Sequence, residues 1–223
     1  TRLKKQEILL GEQQTDYTYH PNRRLHTRTV TDLTNGNTRT WTITYTYYDP
    51  GTDTKVKTRA VDGPRAIADT TLYEYSSQGY LASVTTALGH KTEYQNLNGR
   101  GQPGRVIDPN GRITALSYTS RGWLDSITQD VGGINAFTDL AYDAVGQLTR
   151  VTLPDASYFD YDYDDAHRLE RITNSLGERV EYTLDAAGNP DFISFRDASH
   201  TQTQTVDYQF DELSRLFRQF GAY

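Results

Sequence analysis

The 223-residue sequence contains no cysteine and no methionine. The first absence removes disulfides, thiol nucleophiles and thiolate metal sites together, and leaves the redox compartment open. The second makes a chain that begins at Thr1 read as an excerpt lacking its native start, and its polar opening, TRLKKQEILLGEQQ, holds no signal-peptide core. Long apolar runs are missing as well. The longest aliphatic one is Ile8–Leu10, far short of the ~20 residues that a membrane-crossing helix needs, so no membrane span is expected. Lysine and arginine form no run and the net charge is −6. The sequence therefore carries no electrostatic footprint for a phosphate backbone, and nucleic acid is not an expected partner.

Hydrophobic residues make up only 35% of the chain and the mean hydropathy is −0.73, too little apolar material for one thick core. What there is leans aromatic, with 17 Tyr and 7 Phe, and threonine outnumbers leucine. That is the profile of strands with one apolar and one wet face. Seventeen glycines and the lack of any long 3.6-residue stripe disfavour helix. The stretch TWTITYTYYDPG is the clearest strand: Trp41, Ile43, Tyr45 and Tyr47 alternate with Thr40, Thr42, Thr44 and Thr46. The expected fold class is all-β.

A repeat runs through the chain. YHPNRRL from Tyr19, YSSQGYL from Tyr75, YTSRGWL from Tyr118, YDAVGQL from Tyr142, YDDAHRL from Tyr163, LDAAGNP from Leu184 and FDELSRL from Phe210 share one frame. An aromatic or Leu opens it, Gly usually stands fifth (Gly79, Gly122, Gly146, Gly188) and Leu seventh (Leu81, Leu124, Leu148, Leu169, Leu216). Two residues before the opener another apolar residue recurs, as in Tyr17, Tyr73, Tyr161, Tyr182 and Tyr208. The steps between later openers are 24, 21, 21 and 26 residues, so each unit reads as strand, tight turn, strand, looser turn. The second turns, such as DPNGR at 108–112 and SLGER at 175–179, carry ordinary turn chemistry. One feature resists simple pleating. Leu169 and Ile172 are three apart and would face opposite sides of a regular strand; a bulge or a strand apolar on both faces would each accommodate them.

The stretch SYFDYDYDDA, residues 157–166, holds four carboxylates that could bind a cation or serve as an acid/base pair. The alternation favours a strand with Phe159, Tyr161 and Tyr163 on one face and Asp160, Asp162 and Asp164 on the other. No Asp-x-Asp-x-Asp-Gly loop completes a calcium site. The five histidines, His20, His26, His90, His167 and His200, show no metal spacing, and His167 occupies the turn place where Gly is usual, a position of positive φ. Arg168, Glu170 and Arg171 read as solvated cross-strand pairs. No nucleophile elbow or glycine-rich phosphate loop occurs. No catalytic, cofactor or metal residue is assigned.

Tyr, often followed by Asp, then Gly, a long polar residue and Leu, repeated about every twenty residues, resembles the YD repeat of the RHS (rearrangement hot spot) family. Asp follows the opener at Asp143, Asp164, Asp185 and Asp211. The resemblance covers residues 17–223, degenerate over 17–117 and clearer over 118–220, with 1–16 a leading segment or linker. It implies repetitive antiparallel hairpins forming a curved, spiralling sheet, part of a hollow shell that in the toxin branch encloses the C-terminal toxin domain of the same polypeptide. The implied partners are the remainder of that shell, the enclosed toxin and a type VI secretion spike protein, and the implied location is secreted or exported from a bacterium. A 100-residue cargo of roughly 13 Å radius of gyration needs a wall on the order of 110 Å around, which is roughly 23 strands at about 4.8 Å spacing. This chain supplies less than one such circuit.

Two rival readings remain. A cell-surface YD-repeat module would bind glycan or a neighbouring cell, with Trp41 and Trp123 as candidate sugar-stacking residues. A self-cleaving segment would use Asp108-Pro109-Asn110-Gly111, similar to the Asp-Pro-x-Gly-Leu cleavage sequence of the toxin branch, but Arg112 stands where Leu is wanted and more repeats follow. Asp-Pro-Asn-Gly needs only a turn to explain it.

Overall fold

A computed structural model describes residues 4–222 apart from positions 10, 50, 52, 53, 66 and 68. Residues 1–3 of the leading segment, Leu10 of the aliphatic run, Pro50 of TWTITYTYYDPG and Tyr223 at the end of the repeat array lie outside the described residues. Among the described residues there is no helix, and nineteen strands account for the regular structure. The chain divides into two compact units, Thr1–Thr114 and Ala115–Tyr223.

The first unit contains β1 (Gln6–Leu9), β2 (Gln13–Tyr19), β3 (Leu25–Asp32), β4 (Thr38–Tyr47), β5 (Val56–Asp62), β6 (Thr71–Tyr75), β7 (Leu81–Thr85), β8 (Lys91–Leu97) and β9 (Pro103–Ile107). The division falls within β10 (Ile113–Tyr118). The second unit continues with β11 (Leu124–Gln129), β12 (Ala136–Tyr142), β13 (Leu148–Thr152), β14 (Tyr158–Tyr163) and β15 (Leu169–Asn174). It ends with β16 (Arg179–Leu184), β17 (Pro190–Arg196), β18 (Gln202–Phe210) and β19 (Leu216–Ala222). From β1 to β9, and again from β11 to β19, each strand pairs antiparallel with the next in sequence. Each unit is thus a meander of hairpins, and among the described residues its strands touch only their sequence neighbours.

The hairpins share one irregularity that explains the awkward Leu spacing. Tyr163 pairs with Leu169, whereas Asp162 pairs with Arg171, so Glu170 is an extra residue on the outgoing strand. This bulge puts Leu169 and Ile172 on the same face, the one that carries Tyr161 and Tyr163. A strand apolar on both faces is not needed. The same shift separates the opener from its partner at Tyr19/Leu25 and Tyr75/Leu81 in the first unit, and it occurs also at Tyr47/Val56, outside the repeat frame. It recurs at Tyr142/Leu148, Leu184/Pro190 and Phe210/Leu216 in the second.

Little of either unit is sealed from solvent. Val30 and Ile43 are the only buried apolar residues among those described. Most of the strand tyrosines and aliphatic residues are half-buried, each shielded by its cross-strand neighbours, while Ile8, Leu88, Ile134, Leu176 and Leu213 among others are exposed. The chain therefore holds its shape through lateral pairing, and the turns that set the pairing register matter more than any core.

Two glycines measure this dependence. Gly146 has φ 103° and a methyl there would come within 2.5 Å of the Trp123 ring, while Gly111 has φ 82° and nothing within 4 Å. Gly146→Ala is expected to destabilise by about 2–3 kcal/mol and Gly111→Ala by about 1 kcal/mol, read as shifts in the urea midpoint of the chain. Equal shifts would show that the Trp123 contact contributes nothing.

Candidate functional site

The residues with the strongest claim to chemistry are the aspartates that follow the openers, and the structure places them in the hairpin turns. In the turn 164–168, the Asp164 N–H donates to the Arg168 carbonyl at 2.9 Å and the His167 N–H to the Asp164 carbonyl at 2.8 Å. His167 takes φ 63°. The Asp164 Oδ1 accepts the N–H groups of Ala166 and Arg168, both at 2.9 Å, and its Oδ2 accepts Arg168 Nε at 2.8 Å. Asp185 and Asp211 hold the N–H groups two and four residues on in the same way, and Asp143 adds Gly146 to make three. These carboxylates are turn clamps.

Their acidity follows from that role. The Arg168 backbone N–H and then its guanidinium hold Asp164 below the ordinary carboxylate range. The side-chain amide of Asn189, followed by its backbone N–H, does so for Asp185. For Asp143 desolvation pushes the other way, but the N–H groups of Gln147, Gly146 and Val145 outweigh it. For Asp211 the Arg215 N–H leads and likewise overcomes desolvation.

The opposite ends of the strands use the same device, although in the sequence they look like looser turns. Asp108 clamps the N–H groups of Asn110 and Arg112 at 2.9 and 2.8 Å; Asn174 clamps Leu176 and Glu178, and Asp197 clamps Ser199 and Thr201. The available signal was Asp or Asn three residues before a Gly, or before a non-Gly residue at positive φ such as His200 (φ 65°). The Asp108 carboxylate is occupied as a clamp, and the Asp-Pro-Asn-Gly sequence is the turn it stabilises.

In β14, Asp160 meets Arg150 through paired contacts of 2.5 and 2.7 Å, with the Arg150 guanidinium 4.2 Å from the Tyr158 ring. Asp162 accepts Arg171 Nε at 2.9 Å. The line continues through Glu181, which takes Arg196 at 2.7 Å and Arg179 at 2.9 Å. Desolvation raises the Glu181 pKa, yet Arg196 and Arg179 bring it below its usual value. Asp164 departs from the expected face because it lies beyond the end of β14, in the turn. Glu170 is the bulge residue rather than a pairing partner. Among the described residues no group of three or more His, Asp or Glu side chains is arranged to hold a metal ion.

The tyrosine openers also tie one hairpin to the previous one. Tyr163 Oη donates to the Leu148 carbonyl at 3.0 Å and Tyr142 Oη to the Leu124 carbonyl at 2.8 Å, and burial raises the pKa of both phenols. Tyr118 is raised by burial too. Tyr19 Oη reaches the Lys4 carbonyl at 2.6 Å. Tyr73 lies under the Arg59 guanidinium at 5.2 Å, Tyr17 pairs across from Arg28, Tyr182 across from Ile193, and Tyr208 stacks at 6.4 Å on the opener Phe210. Along the rim, Tyr80 Oη donates to the Gly99 carbonyl at 2.6 Å and Arg168 Nη1 to the Asp185 carbonyl at 3.1 Å. Both tryptophans are engaged. Arg28 covers Trp41 at 5.0 Å; Arg121 covers Trp123 at 5.1 Å, and Tyr142 and Gly146 also lie beside Trp123.

Because the folded pKa of each clamping aspartate is depressed, its stabilisation is present in full above the unfolded value near pH 4 and lost as pH falls through the folded value. Urea midpoints are therefore expected to stay level from pH 7 to about 5 and to fall below about pH 4. Asp164→Asn, which keeps the accepting oxygen that Asn174 already uses, should lose less than Asp164→Ala. Equal losses would show that charge alone, not the N–H clamp, is the source.

The RHS repeat family model matches residues 142–179 and 163–194, the hairpins in which opener, clamp and bulge are most regular. The chain is 27% identical over 167 residues to the double-stranded DNA deaminase toxin A of Burkholderia cenocepacia strain H111, covering 72% of this chain and 11% of that protein. Its fold is similar to the crystal structure of TcdB2-TccC3 without its hypervariable C-terminal region, with TM-score 0.68 and 15% identity over 92% of this chain and 12% of that one. The crystal structure of TcdB2-TccC3 gives 0.63 and 16% over the same shares. At such identity the likeness to the two structures is one of fold, and this chain spans only about an eighth of their length. A period of about twenty residues, the bulged and clamped hairpin it encodes, and the RHS repeats matched over residues 142–194 together support an RHS/YD-repeat protein.

Proposed function

We propose that the chain is a structural segment of an RHS-type β-shell that encloses the C-terminal toxin domain of its own polypeptide for export from a bacterium and delivery to a target cell. The observation that carries this reading is the single-layer sheet: strands contact only their sequence neighbours within each unit, with almost no buried core. Strands that meet only their sequence neighbours suit a wall better than a packed core, and we read that wall as part of an enclosure. The relatives support it. One is named a toxin, and another was crystallised without a hypervariable C-terminal region.

In this reading residues 17–223 are the repeat array and 1–16 lead into it. The carboxylates serve the turns, and the segment contributes no reacting group. The partners are the rest of the shell, the cargo and, for a type VI route, a secretion spike protein. The rival reading, a surface module that stacks sugars on Trp41 and Trp123, is disfavoured by the arginines that already cover both rings.

The test uses the full-length parent protein. Electron microscopy should show a hollow body, and the C-terminal domain should resist a protease that digests the same domain when it is expressed alone. Asp164→Ala combined with Gly188→Val, which disrupts the turns of two adjacent hairpins, should restore digestion. A filled sandwich with its C-terminal domain cut at the free rate would refute enclosure.

A further inference from the structure

Three Asn-Gly steps occur in the chain, at Asn35-Gly36, Asn98-Gly99 and Asn110-Gly111, and the last two continue identically into arginine. Such a step is open to one intramolecular reaction. Glycine has no side chain to shield its amide nitrogen, which can attack the Cγ of the asparagine before it. What the sequence makes equivalent, the three turns separate.

At two of the steps the nucleophile is committed. Gly36 N–H donates to the Asp32 carbonyl at 2.8 Å and Gly111 N–H to the Asp108 carbonyl at 3.0 Å, so the bond that closes each turn must open before the nitrogen can react. Asn98 instead stands at the head of its turn, in the clamp place after the pairing of Leu97 with Pro103. The closing bond there runs from Gly101 N–H to the Asn98 carbonyl at 2.9 Å, and among the described residues the Gly99 N–H has no hydrogen-bond partner.

The electrophile at this step is prepared as well. Asn98 Oδ1 accepts the N–H groups of Arg100 at 2.9 Å and Gln102 at 3.1 Å. In a carboxylate such as Asp164 this clamp holds a charge already present. On an amide it draws electron density from Cγ and awaits the negative charge that the oxygen gains when Cγ is attacked. Asn35 Oδ1 takes a single N–H, that of Asn37 at 2.9 Å. Tyr80 fixes the geometry: its Oη donates to the Gly99 carbonyl at 2.6 Å, and its ring lies against Gly101. Asn98 and Gly99 are both exposed, so water reaches them.

We propose that Asn98 is a site of spontaneous deamidation, selected by its turn from three equivalent sequence steps. The Gly99 nitrogen gives its proton to hydroxide and bonds to Cγ; the Cγ–Nδ2 bond breaks, and the amide nitrogen takes up a proton and leaves as ammonia. Water then opens the five-membered imide at either carbonyl, so that asparagine and water become aspartate or isoaspartate and ammonia. The two products have opposite consequences. Aspartate supplies the clamp that Asp108, Asp143 and Asp164 already use, and the hairpin persists. Isoaspartate carries the main chain through Cγ, which adds a carbon between positions 98 and 99 and draws the accepting oxygen off its N–H groups, so the register of β8 and β9 loosens. The site is independent of enclosure.

The test is incubation of the 223-residue chain in mildly alkaline buffer, followed by digestion at acid pH and mass spectrometry of the peptides. Asn98 should convert about tenfold or more faster than Asn35 and Asn110 and yield both aspartate and isoaspartate. In the urea-unfolded chain the three should convert at similar rates. Gly99→Ala should slow conversion at Asn98 by about tenfold or more, because the methyl shields the nitrogen; nothing lies within 4 Å of that position, so the turn is kept. Faster conversion at Asn35 or Asn110, equal rates at all three in the folded chain, aspartate without isoaspartate, indifference to Gly99→Ala, or a preference for Asn98 that persists in urea would each overturn the proposal.

Discussion

Everything in this chain depends on a hairpin turn that fixes register without help from a core. Antiparallel strands of period two lose their facing if they slip by one residue, and with Val30 and Ile43 the only buried apolar residues among those described, little burial resists the slip. The turn supplies that resistance three times over. A side-chain oxygen holds two or three N–H groups, a residue at positive φ closes the loop, and one extra residue on the outgoing strand returns the seventh position to the opener's face. A change to any one of these alters every pairing downstream of it.

The same turn explains which parts of the structure were legible in the sequence. Alternation in TWTITYTYY and the opener–Gly–Leu frame translated directly into strands and hairpins, because each residue there acts on its own neighbours. The bulge was only half legible: Leu169 and Ile172 announced a conflict, but its solution lies in pairing with β14, which no local pattern encodes. The turns at the opposite rim were legible as turns, but their shared clamp was hidden because Leu153, Asn174 and Asp197 do not share one residue type, and Ala156 and His200 stand at positive φ in the place of Gly. The gathering of arginines and aromatic rings on one face of the first unit was least legible. Arg28 and Arg59 are remote in sequence and meet the same aromatic face only through strand pairing.

Lateral coupling gives the array its second property. Tyr163 reaches the carbonyl of Leu148, the residue that pairs with Tyr142, and Tyr142 reaches Leu124 in the hairpin before it. Arg168 reaches Asp185 in the next turn. Each hairpin is therefore stabilised by its immediate neighbours, as in other repeat architectures where stability is a sum of unit and interface contributions. Such a sheet can be extended by repeating the unit, and departures from the pattern remain local. Leu184 and Phe210 lack the opener hydroxyl, yet their hairpins keep the bulge.

The aspartates that look most like chemistry are poorly suited to it for the reason that makes them good clamps. A general base needs affinity for a proton near the working pH, and a general acid must hold one there. Asp143, Asp164, Asp185 and Asp211 are each pulled below the ordinary carboxylate range by groups that donate to them, so they neither hold a proton at neutral pH nor attract one well. Their lone pairs are committed to N–H groups whose release would open the hairpin. Any reaction that used such a carboxylate would have to break the register of the sheet it stands in, and a chain whose register is its only structure has little room for that.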